Sequence, residues 1–481
     1  MASILARLTR RDPHARAAAA DATTRDVARV HALLRDMQEA LAGGASATAR
    51  IAVLEDAKRA LFAVLRPHCA SDVIAKALAL KAINICVARG EYAARATAVL
   101  ARPVGLVVDP SNSCNLACPG CVHSPTVKAR HVFDWGTGTL PAGRFARYVA
   151  ATGPYAIHAN FCNYGEPLVN PATPGFVREA KRCLVLSMLS TNLSLPRLDA
   201  EAVVASGLDY MICSVDGATQ PVYEKFRRKG RIDTVIRNLM RLVKAKREQG
   251  RGTPMIVWRF LTFEHNVHEI ALAAQMAREL GVDQFLTETP FDVTWDAPDV
   301  RVAEAPPVDL LLNPHATAAI YDNWNAHPDD VNADAITAAF DAPWADAADP
   351  VFASPPAGDG SAPGPSCKWL YASMSMDADG RILPCCGSPR PGIDVVFAKF
   401  EGQSAFHAFN SEKYRMSRLA LSDPAAHRRE RASGRLERDT HCVECTWPRE
   451  PNWNDDNVRQ YFHAAGRGLF DRGSLGLMTA W

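Results

Sequence analysis

The sequence predicts an α/β protein with a helical N-terminal domain and a small cysteine-rich α+β module near its C-terminal end. Two observations support this prediction. Six short apolar runs alternate with helical patterns between residues 104 and 290, which is typical of a parallel sheet covered by helices. Cysteines gather in two sets, one directly after the first apolar run and one beyond residue 366. We therefore divide the chain into residues 1–100, 101–295, a linker or insertion at 296–366, and 367–481.

Composition limits the function classes. The chain has 481 residues, of which 48% are hydrophobic, and a formal net charge of +2. So small a charge gives no electrostatic reason to expect nucleic acid or an anionic membrane as a partner. The sequence has no run of about 18 apolar residues, and its N-terminal stretch lacks the apolar core of a secretory signal. We expect a cytoplasmic protein of about two or three domains.

Residues 1–100 are predicted to be helical. The segment TTRDVARVHALLRDMQEALAGG has apolar residues at three- and four-residue spacing and stops at Gly43 and Gly44. Two more helical patterns follow, TARIAVLEDAKRALFAVLRPH and a longer one that begins at Ser71. The pattern predicts a helical domain and gives no role for it.

Six strands are predicted next. Their sequences are VGLVVD, AIHANFCN, CLVLSML, YMICSVD, MIVWRFLTF and QFLTET, and helical patterns lie between them. The carboxyl ends of parallel strands meet at one edge, where α/β proteins bind their ligands. Residues 296–366 lose this alternation and are rich in Pro, Gly, Ala and Asp, which indicates a linker or a long insertion.

A cysteine loop follows the first predicted strand. Cys114, Cys118 and Cys121 have the spacing C-x3-C-x2-C within SCNLACPGC. Without a secretory signal, clustered cysteines indicate metal ligands rather than disulfides. Thiolates bind zinc or iron–sulfur clusters, and three of them on a four-iron cluster leave one iron open to another ligand.

Together with three later motifs, this loop resembles the radical S-adenosylmethionine (SAM) superfamily over roughly residues 104–290. NYGEP at 163–167 resembles its second-strand Gly-Gly-Glu motif, with Tyr164 in place of the first glycine. LSTNLS at 189–194 resembles the third-strand Thr-Asn motif. SVDGATQPVYEKFR at 214–227 is similar to the fourth-strand Ser-x-Asp-Gly segment and its downstream arginine. The resemblance implies a partial (β/α)6 TIM-like barrel as the core, and an enzyme.

The resemblance also implies roles by position. Cys114, Cys118 and Cys121 would hold three irons of a [4Fe–4S] cluster, and the fourth iron would take the amino and carboxylate groups of SAM. Further SAM contacts would come from six residues at the strand ends: Gly165, Glu166, Thr191, Asn192, Ser214 and Arg227. A carboxylate suits the methionyl ammonium, and a guanidinium suits the methionyl carboxylate or the ribose.

One position departs from the family pattern. Gly120 stands directly before the last cysteine, where the family often has an aromatic residue near the adenine. A side-chain contact to adenine from this position is therefore excluded.

The chemistry that the resemblance implies is carried by the cofactor. An electron from the reduced cluster would cleave SAM to methionine and a 5′-deoxyadenosyl radical, which abstracts a hydrogen from an unactivated carbon. A reducing partner such as flavodoxin or ferredoxin would supply that electron.

A second cysteine set consists of Cys367, Cys385, Cys442 and Cys445. The segment CKWLYASMSMDADGRILPCCG predicts a strand, an Asp-Gly turn and a second strand. Four thiolates would close one tetrahedral zinc site or one cluster. In this position the set resembles a SPASM/twitch auxiliary module, which implies a second, fully ligated [4Fe–4S] cluster. Structural zinc is the alternative, and Cys386 is left without a role.

Candidate substrate contacts come from alternation along the second strand. His158, Asn160 and Cys162 share one face, and apolar residues occupy the other. The polar face is predicted to look into the barrel, toward substrate. The same parity places Ser214 inward and Cys213 outward.

Two charged residues complete the list of candidates. Arg259 lies among apolar residues in the fifth strand, where a charge needs an anionic or carbonyl partner. That partner is substrate, the SAM carboxylate or a structural acid. Glu288 in the sixth strand is a similar inward candidate.

The leading interpretation is a radical SAM oxidoreductase-type enzyme that acts on a small polar molecule, such as a sugar- or cyclitol-like compound. Oxidation of an alcohol would use the auxiliary cluster as electron acceptor, and epimerisation or elimination stays open. The alternative is a maturase that modifies a peptide or protein. Such enzymes normally carry a winged-helix domain, and residues 1–100 have no clear β-hairpin pattern. The non-enzymatic alternative is a zinc-stabilised binding module.

Overall fold

The computed structural model describes most of the chain. The described residues are 13–42, 46–126, 137–290, 297–323, 330–352, 367–386, 396–434, 440, 442–443, 445, 455, 458–459, 461–462 and 469–479. The strands are β1 Gly105–Val108, β2 His158–Asn160, β3 Leu186–Thr191, β4 Tyr210–Ser214, β5 Met255–Leu261, β6 Gln284–Glu288, β7 Asp309–Leu311, β8 Ser373–Met376, β9 Arg381–Leu383 and β10 Ala398–Lys399.

The α-helices alternate with the strands in the middle of the chain and dominate both ends. They are α1 Pro13–Ala42, α2 Ala47–Leu65, α3 Asp72–Ala93, α4 Ala142–Thr152, α5 Thr173–Arg182, α6 Ala200–Ala205, α7 Gln220–Phe226, α8 Ile232–Glu248, α9 Ile270–Leu280, α10 Ala316–Asn323, α11 Ala333–Asp341, α12 Trp369–Ala372, α13 Ala405–Phe409, α14 Glu412–Ser422, α15 Pro424–Ala432 and α16 Arg472–Met478. Short 3-10 turns lie at Arg66–His68, Pro167–Val169, Val267–Glu269 and Pro350–Phe352.

The N-terminal region is helical, as the sequence predicts. Ser71 caps α3, because its hydroxyl accepts a hydrogen bond from the N–H of Ile74. This helix is buried on almost every side. Its fully buried Lys81 donates to the carbonyl oxygens of Gly153 and Ala156, in the segment that leads into β2. The helical region is therefore joined to the sheet by polar bonds as well as by apolar packing.

The strands form one ten-stranded sheet in the order β10-β9-β8-β1-β2-β3-β4-β5-β6-β7. Pairing is parallel from β8 through β6 and antiparallel at both ends. The two outermost strands of the described sheet do not pair with each other, so the barrel is partial. The six strands predicted from sequence are β1–β6, and the α/β prediction is confirmed.

Alternate residues of each strand face opposite sides of the sheet. Outward-facing residues such as Phe161 and Trp258 lie in the main core beneath the helices, and the Phe161 ring packs on that of Phe145 at 5.8 Å. Cys213 is fully buried in the same core, on the outward side that the parity predicts. On the inner side, Ile320 of α10 packs against β5.

Buried ion pairs tie helices to the segments that enter two strands. Lys181 at the end of α5 pairs with Asp209, which directly precedes β4, at 2.8 Å. Lys246 of α8 pairs with Asp283, directly before β6, at 2.6 Å. These residues are distant in sequence from the cysteine motifs and fix the amino end of the barrel.

Residues 296–366, predicted as a linker or insertion, contain ordered elements in their described parts. β7 extends the sheet by pairing with β6, α10 packs on β5, and α11 packs on α3. The sequence missed these elements because each is short and each packs on a distant segment.

The C-terminal segment contains the predicted hairpin. β8 and β9 pair antiparallel, and the turn between them is organised by Asp377, whose carboxylate accepts from the backbone N–H groups of Asp379 and Arg381. Gly380 completes the turn at φ 81°, a conformation that favours glycine. The sequence did not predict that β8 would pair in parallel with β1, from the other end of the chain.

None of the described helices has both the length and the apolar character that a bilayer-spanning helix requires.

Candidate active site at the carboxyl edge of the sheet

The first cysteine loop begins where β1 ends and is held at both sides. The amide of Asn115 donates to the carbonyl oxygen of Ser194, beyond β3, at 2.7 Å. The N–H of Ala117 donates to the carbonyl oxygen of Arg228, beyond α7, at 3.2 Å. Gly120 has φ 74°, in the left-handed region, so the loop itself requires a residue of glycine's freedom at this position.

The thiols of the loop lie together in a small apolar cluster. Cys114, Cys118 and Cys121 pack with Leu116 and Phe226, among other residues. Burial raises the pKa of Cys114 to about 11 and that of Cys118 to about 12. Metal binding requires thiolates, so a ligand must supply the positive charge that offsets this cost.

Side chains from two other motifs donate to these sulfurs. Asn192 Nδ2 lies 3.7 Å from Cys114 Sγ, and Arg227 Nη1 lies 3.9 Å from Cys118 Sγ. Both distances are those of N–H···S hydrogen bonds, which favour the thiolate. The structure thus brings the cysteine loop, the third-strand motif and the downstream arginine together.

Arg227 is oriented by a partner that the sequence did not single out. Its Nε bonds the fully buried carboxylate of Asp216, and its guanidinium lies over the ring of Phe226 at 5.0 Å. The other oxygen of Asp216 accepts from the N–H of Leu261. Asp216 is part of the SVDG segment, so its position after a strand was the available signal.

The second-strand motif packs tightly against the residues before the cysteines. The N–H of Glu166 donates to the carbonyl oxygen of Ser113 at 2.8 Å. A Cβ placed on Gly165 would lie 1.8 Å from the carbonyl oxygen of Ser111, so only glycine fits. Tyr164, which departs from the family motif, packs on Leu383 and has Cys385 and Cys386 as electrostatic neighbours.

The carboxylate of Glu166 is bonded within the protein. It accepts from Thr191 Oγ1 at 2.7 Å, from the N–H of Asn192 at 2.8 Å and from the N–H of Leu168 at 3.2 Å. Burial raises the pKa of Glu166, and these bonds act against that shift. Thr191 and Asn192 therefore orient Glu166, and Asn192 bridges it to Cys114.

Three further candidates form one group. Ser214 and Arg259 are paired across β4 and β5, and Arg259 Nη2 donates to Ser214 Oγ at 2.8 Å. Arg259 Nη1 lies 3.6 Å from the half-exposed carboxylate of Glu288. Arg259 Nε is buried and has no hydrogen-bond partner in the described chain. The partner that Arg259 needs is thus supplied in part by Glu288.

His158 and Asn160 are buried on the inner side of β2, at 3% and 6% exposure. Burial lowers the pKa of His158 to about 4, so it is neutral at pH 7. Asn160 Oδ1 has no partner in the described residues.

The sequence analysis did not single out Asp109, which directly follows β1. Its Oδ1 accepts from the backbone N–H groups of Asn163 and Tyr164, both at 2.9 Å. An acid at a predicted strand end was the signal for it.

The second cysteine set frames the hairpin. Cys367 lies two residues before α12, and Cys385 and Cys386 follow β9. Burial raises the pKa of Tyr414, with smaller contributions from Cys385 and Cys442, and its hydroxyl donates to the carbonyl oxygen of Leu383. Cys445 is half-buried.

The cysteines form no disulfide, and all of them lie in described residues. Within the described chain, no group of three or more His, Cys, Asp or Glu side chains converges on one metal-ion position. In a [4Fe–4S] cluster, however, each thiolate bonds its own iron, which is a wider arrangement than a single-ion site.

The central segment matches a known family model. Residues 108–284 match the family model of the Radical SAM superfamily. This segment contains the cysteine loop and the three strand-end motifs. No curated protein matches the chain.

Solved structures with a similar fold include three that bind AdoMet. Streptococcus suis SuiB bound to S-adenosylmethionine is 15% identical, with a TM-score of 0.41 over 74% of this chain and 73% of that one. Native anSMEcpe with bound AdoMet is 14% identical, with a TM-score of 0.39 over 76% and 98%. BtrN in complex with AdoMet and 2-DOIA is 13% identical, with a TM-score of 0.35 over 72% and 93%.

Proposed function

We propose that the chain is a radical SAM enzyme in which Cys114, Cys118 and Cys121 hold a [4Fe–4S] cluster beside bound SAM. The observation that carries the proposal is the pair of N–H···S contacts from Asn192 and Arg227. Residues from separate strand ends surround the thiols, within a segment that matches the Radical SAM superfamily. The three cysteines fit a [4Fe–4S] cluster, because thiolates with nearby hydrogen-bond donors suit an iron–sulfur cluster.

When bound, the cluster and SAM supply a 5′-deoxyadenosyl radical that abstracts hydrogen from substrate. The residues of the chain then have separate tasks. Asp216 holds the Arg227 guanidinium against the cysteine loop. Thr191 and Asn192 hold the Glu166 carboxylate beside the loop, where it suits the methionyl ammonium together with Gly165. Ser214 and Arg259 suit the methionyl carboxylate or a substrate oxygen.

We assign Cys367, Cys385, Cys442 and Cys445 to an auxiliary [4Fe–4S] cluster without an open iron. In support, Cys385 and Cys442 are both electrostatic neighbours of the Tyr414 hydroxyl. Such a cluster would accept the electron that is left on the substrate after hydrogen abstraction, so the proposed reaction is oxidation of a small polar substrate. Epimerisation is the redox-neutral alternative, in which the substrate would regain a hydrogen atom and give up no electron. A flavodoxin or ferredoxin would supply the first electron. Structural zinc at these cysteines is the competing assignment.

The test begins with anaerobic reconstitution and metal analysis. We expect about eight irons per chain in the wild type and brown absorption, and about four irons in Cys442→Ala, which should still cleave SAM. Cys114→Ala should lose SAM cleavage, whereas Cys69→Ala, at a cysteine outside both sets, should keep iron and cleavage. SAM cleavage by Cys114→Ala would show that the assignment is wrong. Zinc found in place of the second four irons would show that the auxiliary-cluster assignment is wrong.

The substrate class is tested by deuterium transfer. Deuterated sugars and amino-cyclitols on one side, and peptides on the other, are supplied with SAM and reductant. Deuterium in 5′-deoxyadenosine identifies the class from which hydrogen is abstracted. Transfer from peptides alone would favour the maturase alternative.

A further inference from the structure

Three neighbouring strands place polar side chains on the inner face of the sheet. Val107 of β1 is paired with Ser375 of β8 on one side and with Asn160 of β2 on the other. Asp109 lies two residues beyond Val107 and continues the ladder, because its N–H donates to the carbonyl oxygen of Met376. Residues two apart on a strand share a face. Ser375, Asn160 and Asp109 therefore share one face, which we name the β8-β1-β2 wall.

The wall lies on the face of the sheet opposite the helices. The intervening residues Leu106, Val108 and Ala159 lie in the main core beneath the helices. Asp109 and Ser375 are each 1% exposed, so their polar atoms are removed from bulk water. The wall is a buried surface inside the partial barrel.

Each residue of the wall has a polar atom that the protein leaves unsatisfied. Ser375 Oγ, Asn160 Oδ1 and Asp109 Oδ2 are buried and have no hydrogen-bond partner among the described residues. Leaving such a group unsatisfied costs about 1–3 kcal/mol, and native proteins rarely tolerate it without a reason. Three of them lie on one face of adjacent strands, so one bound molecule can satisfy them together.

The wall faces the same interior as the cysteine loop. Cys162, two residues beyond Asn160, has Asp109, Glu166, Arg259 and Cys114 as electrostatic neighbours. The other oxygen of Asp109 is already occupied by the NYGEP loop. The carboxylate of Asp109 thus belongs to the wall and is also bonded to the NYGEP loop.

We propose that the β8-β1-β2 wall binds the substrate, and that the substrate is a compact ring bearing several hydroxyl groups and an amino group. Asn160 Oδ1 is an acceptor, Asp109 Oδ2 is an acceptor in the carboxylate form, and Ser375 Oγ takes either role, so a ligand with several donors suits all three. Val107, between Ser375 and Asn160, is an apolar floor for the C–H face of a ring. Arg259 Nε is an unsatisfied donor within the same interior, suited to a ring oxygen. This assignment rests on the proposed function for the reaction.

The unpartnered carboxyl oxygen of Asp109 suits an amino group of the ligand. Burial, with a smaller contribution from Asp377, raises the pKa of Asp109 to about 7. A bound ammonium would stabilise its carboxylate form, and a hydroxyl would bond either form.

The first test needs no ligand, because unsatisfied groups destabilise the protein that carries them. Asn160→Leu and Ser375→Ala should leave the melting temperature unchanged or raise it. The matched controls are Asn238→Leu and Ser187→Ala, since the side chains of these buried residues form hydrogen bonds. Asn238 donates to the carbonyl oxygens of Leu193 and Leu195, and Ser187 donates to Asp209. The controls should lower the melting temperature. An equal fall in the wall variants would mean that the wall is structural.

The second test measures binding to the reconstituted protein with SAM. The probes are glucosamine, which carries hydroxyls and an ammonium, and tetrahydropyran, which has a similar ring without donors. We expect glucosamine to bind more tightly than tetrahydropyran, and Asp109→Asn and Asn160→Leu each to weaken its binding at least tenfold. Asp109→Asn retains an oxygen for the NYGEP loop. Equal binding of both rings, unchanged binding in the variants, or no glucosamine binding to the wild type would overturn the proposal.

The two proposals fail separately. If Asn160→Leu and Asn238→Leu lowered the melting temperature equally, the substrate wall would be wrong, and SAM cleavage by the wild type would still support the proposed function. Absence of iron or SAM cleavage in the wild type would overturn the proposed function, while the wall would still be tested by its stability contrast and its ring preference.

Discussion

Gly165 lies so close to neighbouring backbone atoms that mutation to alanine should displace the main chain of the site. An alanine Cβ there would lie 1.8 Å from the carbonyl oxygen of Ser111, 2.7 Å from its carbonyl carbon and 2.9 Å from the carbonyl oxygen of Ser113. All three contacts are backbone atoms, so no side-chain rotation can relieve them. Gly165→Ala must therefore move the main chain.

The size of that movement follows from the structure. Real Cβ atoms essentially never come closer than 3.0 Å to such atoms, so Gly165 and the carbonyl oxygen of Ser111 must separate by at least 1.2 Å. The same junction holds the 2.8 Å hydrogen bond from the N–H of Glu166 to Ser113. Overpacking costs about 1–3 kcal/mol and a lost hydrogen bond about 1 kcal/mol, so we expect a loss of about 2–4 kcal/mol. Ser113 directly precedes Cys114, so the displacement is passed to the cysteine loop.

The assay measures thermal unfolding, iron content after reconstitution, and SAM affinity. Gly165→Ala should lower all three. The control is Gly175→Ala in α5, where a Cβ meets nothing within 4 Å and a helix gains about 0.5–1 kcal/mol. Wild-type iron content and SAM affinity in Gly165→Ala would refute the link between this glycine and the cysteine loop.

Three further predictions concern single side chains. Arg227→Gln removes one partner of a buried pair with Asp216, so we expect a loss of about 3–5 kcal/mol. It also removes a donor to Cys118, so EPR-monitored redox titration should give a more negative cluster potential. Arg228→Gln, at an exposed neighbour, should change neither, and equal potentials in the two variants would contradict the prediction. For His158, burial lowers the pKa from 6.5 to about 4, so between these values the unfolded state binds a proton that the folded state excludes. Stability should fall by up to about 3 kcal/mol as pH drops through this window, and His158→Gln should lose that component. Urea unfolding of the metal-free protein at pH 6.5 and 4.5 checks it, and an equal fall in the variant would exclude His158 as the source. For Lys81, burial lowers the pKa to about 7, so the free energy of unfolding should rise as pH increases above that value. Lys81→Met should reduce this rise. Urea unfolding at pH 7.5 and 9 measures this slope, and an unchanged slope would contradict it.

The sequence predicted the central fold well because its signal is local. Each of β1–β6 is an apolar run bounded by turn residues, and each intervening helix has its own periodicity. It could not predict β8 beside β1, because that pairing joins segments more than 260 residues apart and neither strand specifies its neighbour. The same reason explains β7, a short strand that is ordered by β6.

The site was predictable to the same extent. Motif order placed the cysteines, Glu166 and Arg227 at one edge, and the structure brings them into contact. The partners that orient them were not predictable, since Asp216 and Asp109 are single acids whose roles depend on contacts across strands. Ser375 is the clearest case. It is an ordinary serine in the C-terminal segment until β8 pairs with β1 and turns it toward the interior.

That pairing also brings the hairpin that carries part of the second cysteine set beside the first cysteine loop. Asn112, two residues before Cys114, accepts from the N–H of Ala378 at 3.1 Å and donates to Asp379 at 3.2 Å, in the turn that leads through β9 to Cys385. The loop that carries the first set is thus bonded to the hairpin that carries part of the second. β1 leads from the wall into one set and β8 leads from it toward the other. The proposed oxidation would use both sets, hydrogen abstraction at the first and electron removal at the second, and the wall contains the strands that lead toward them.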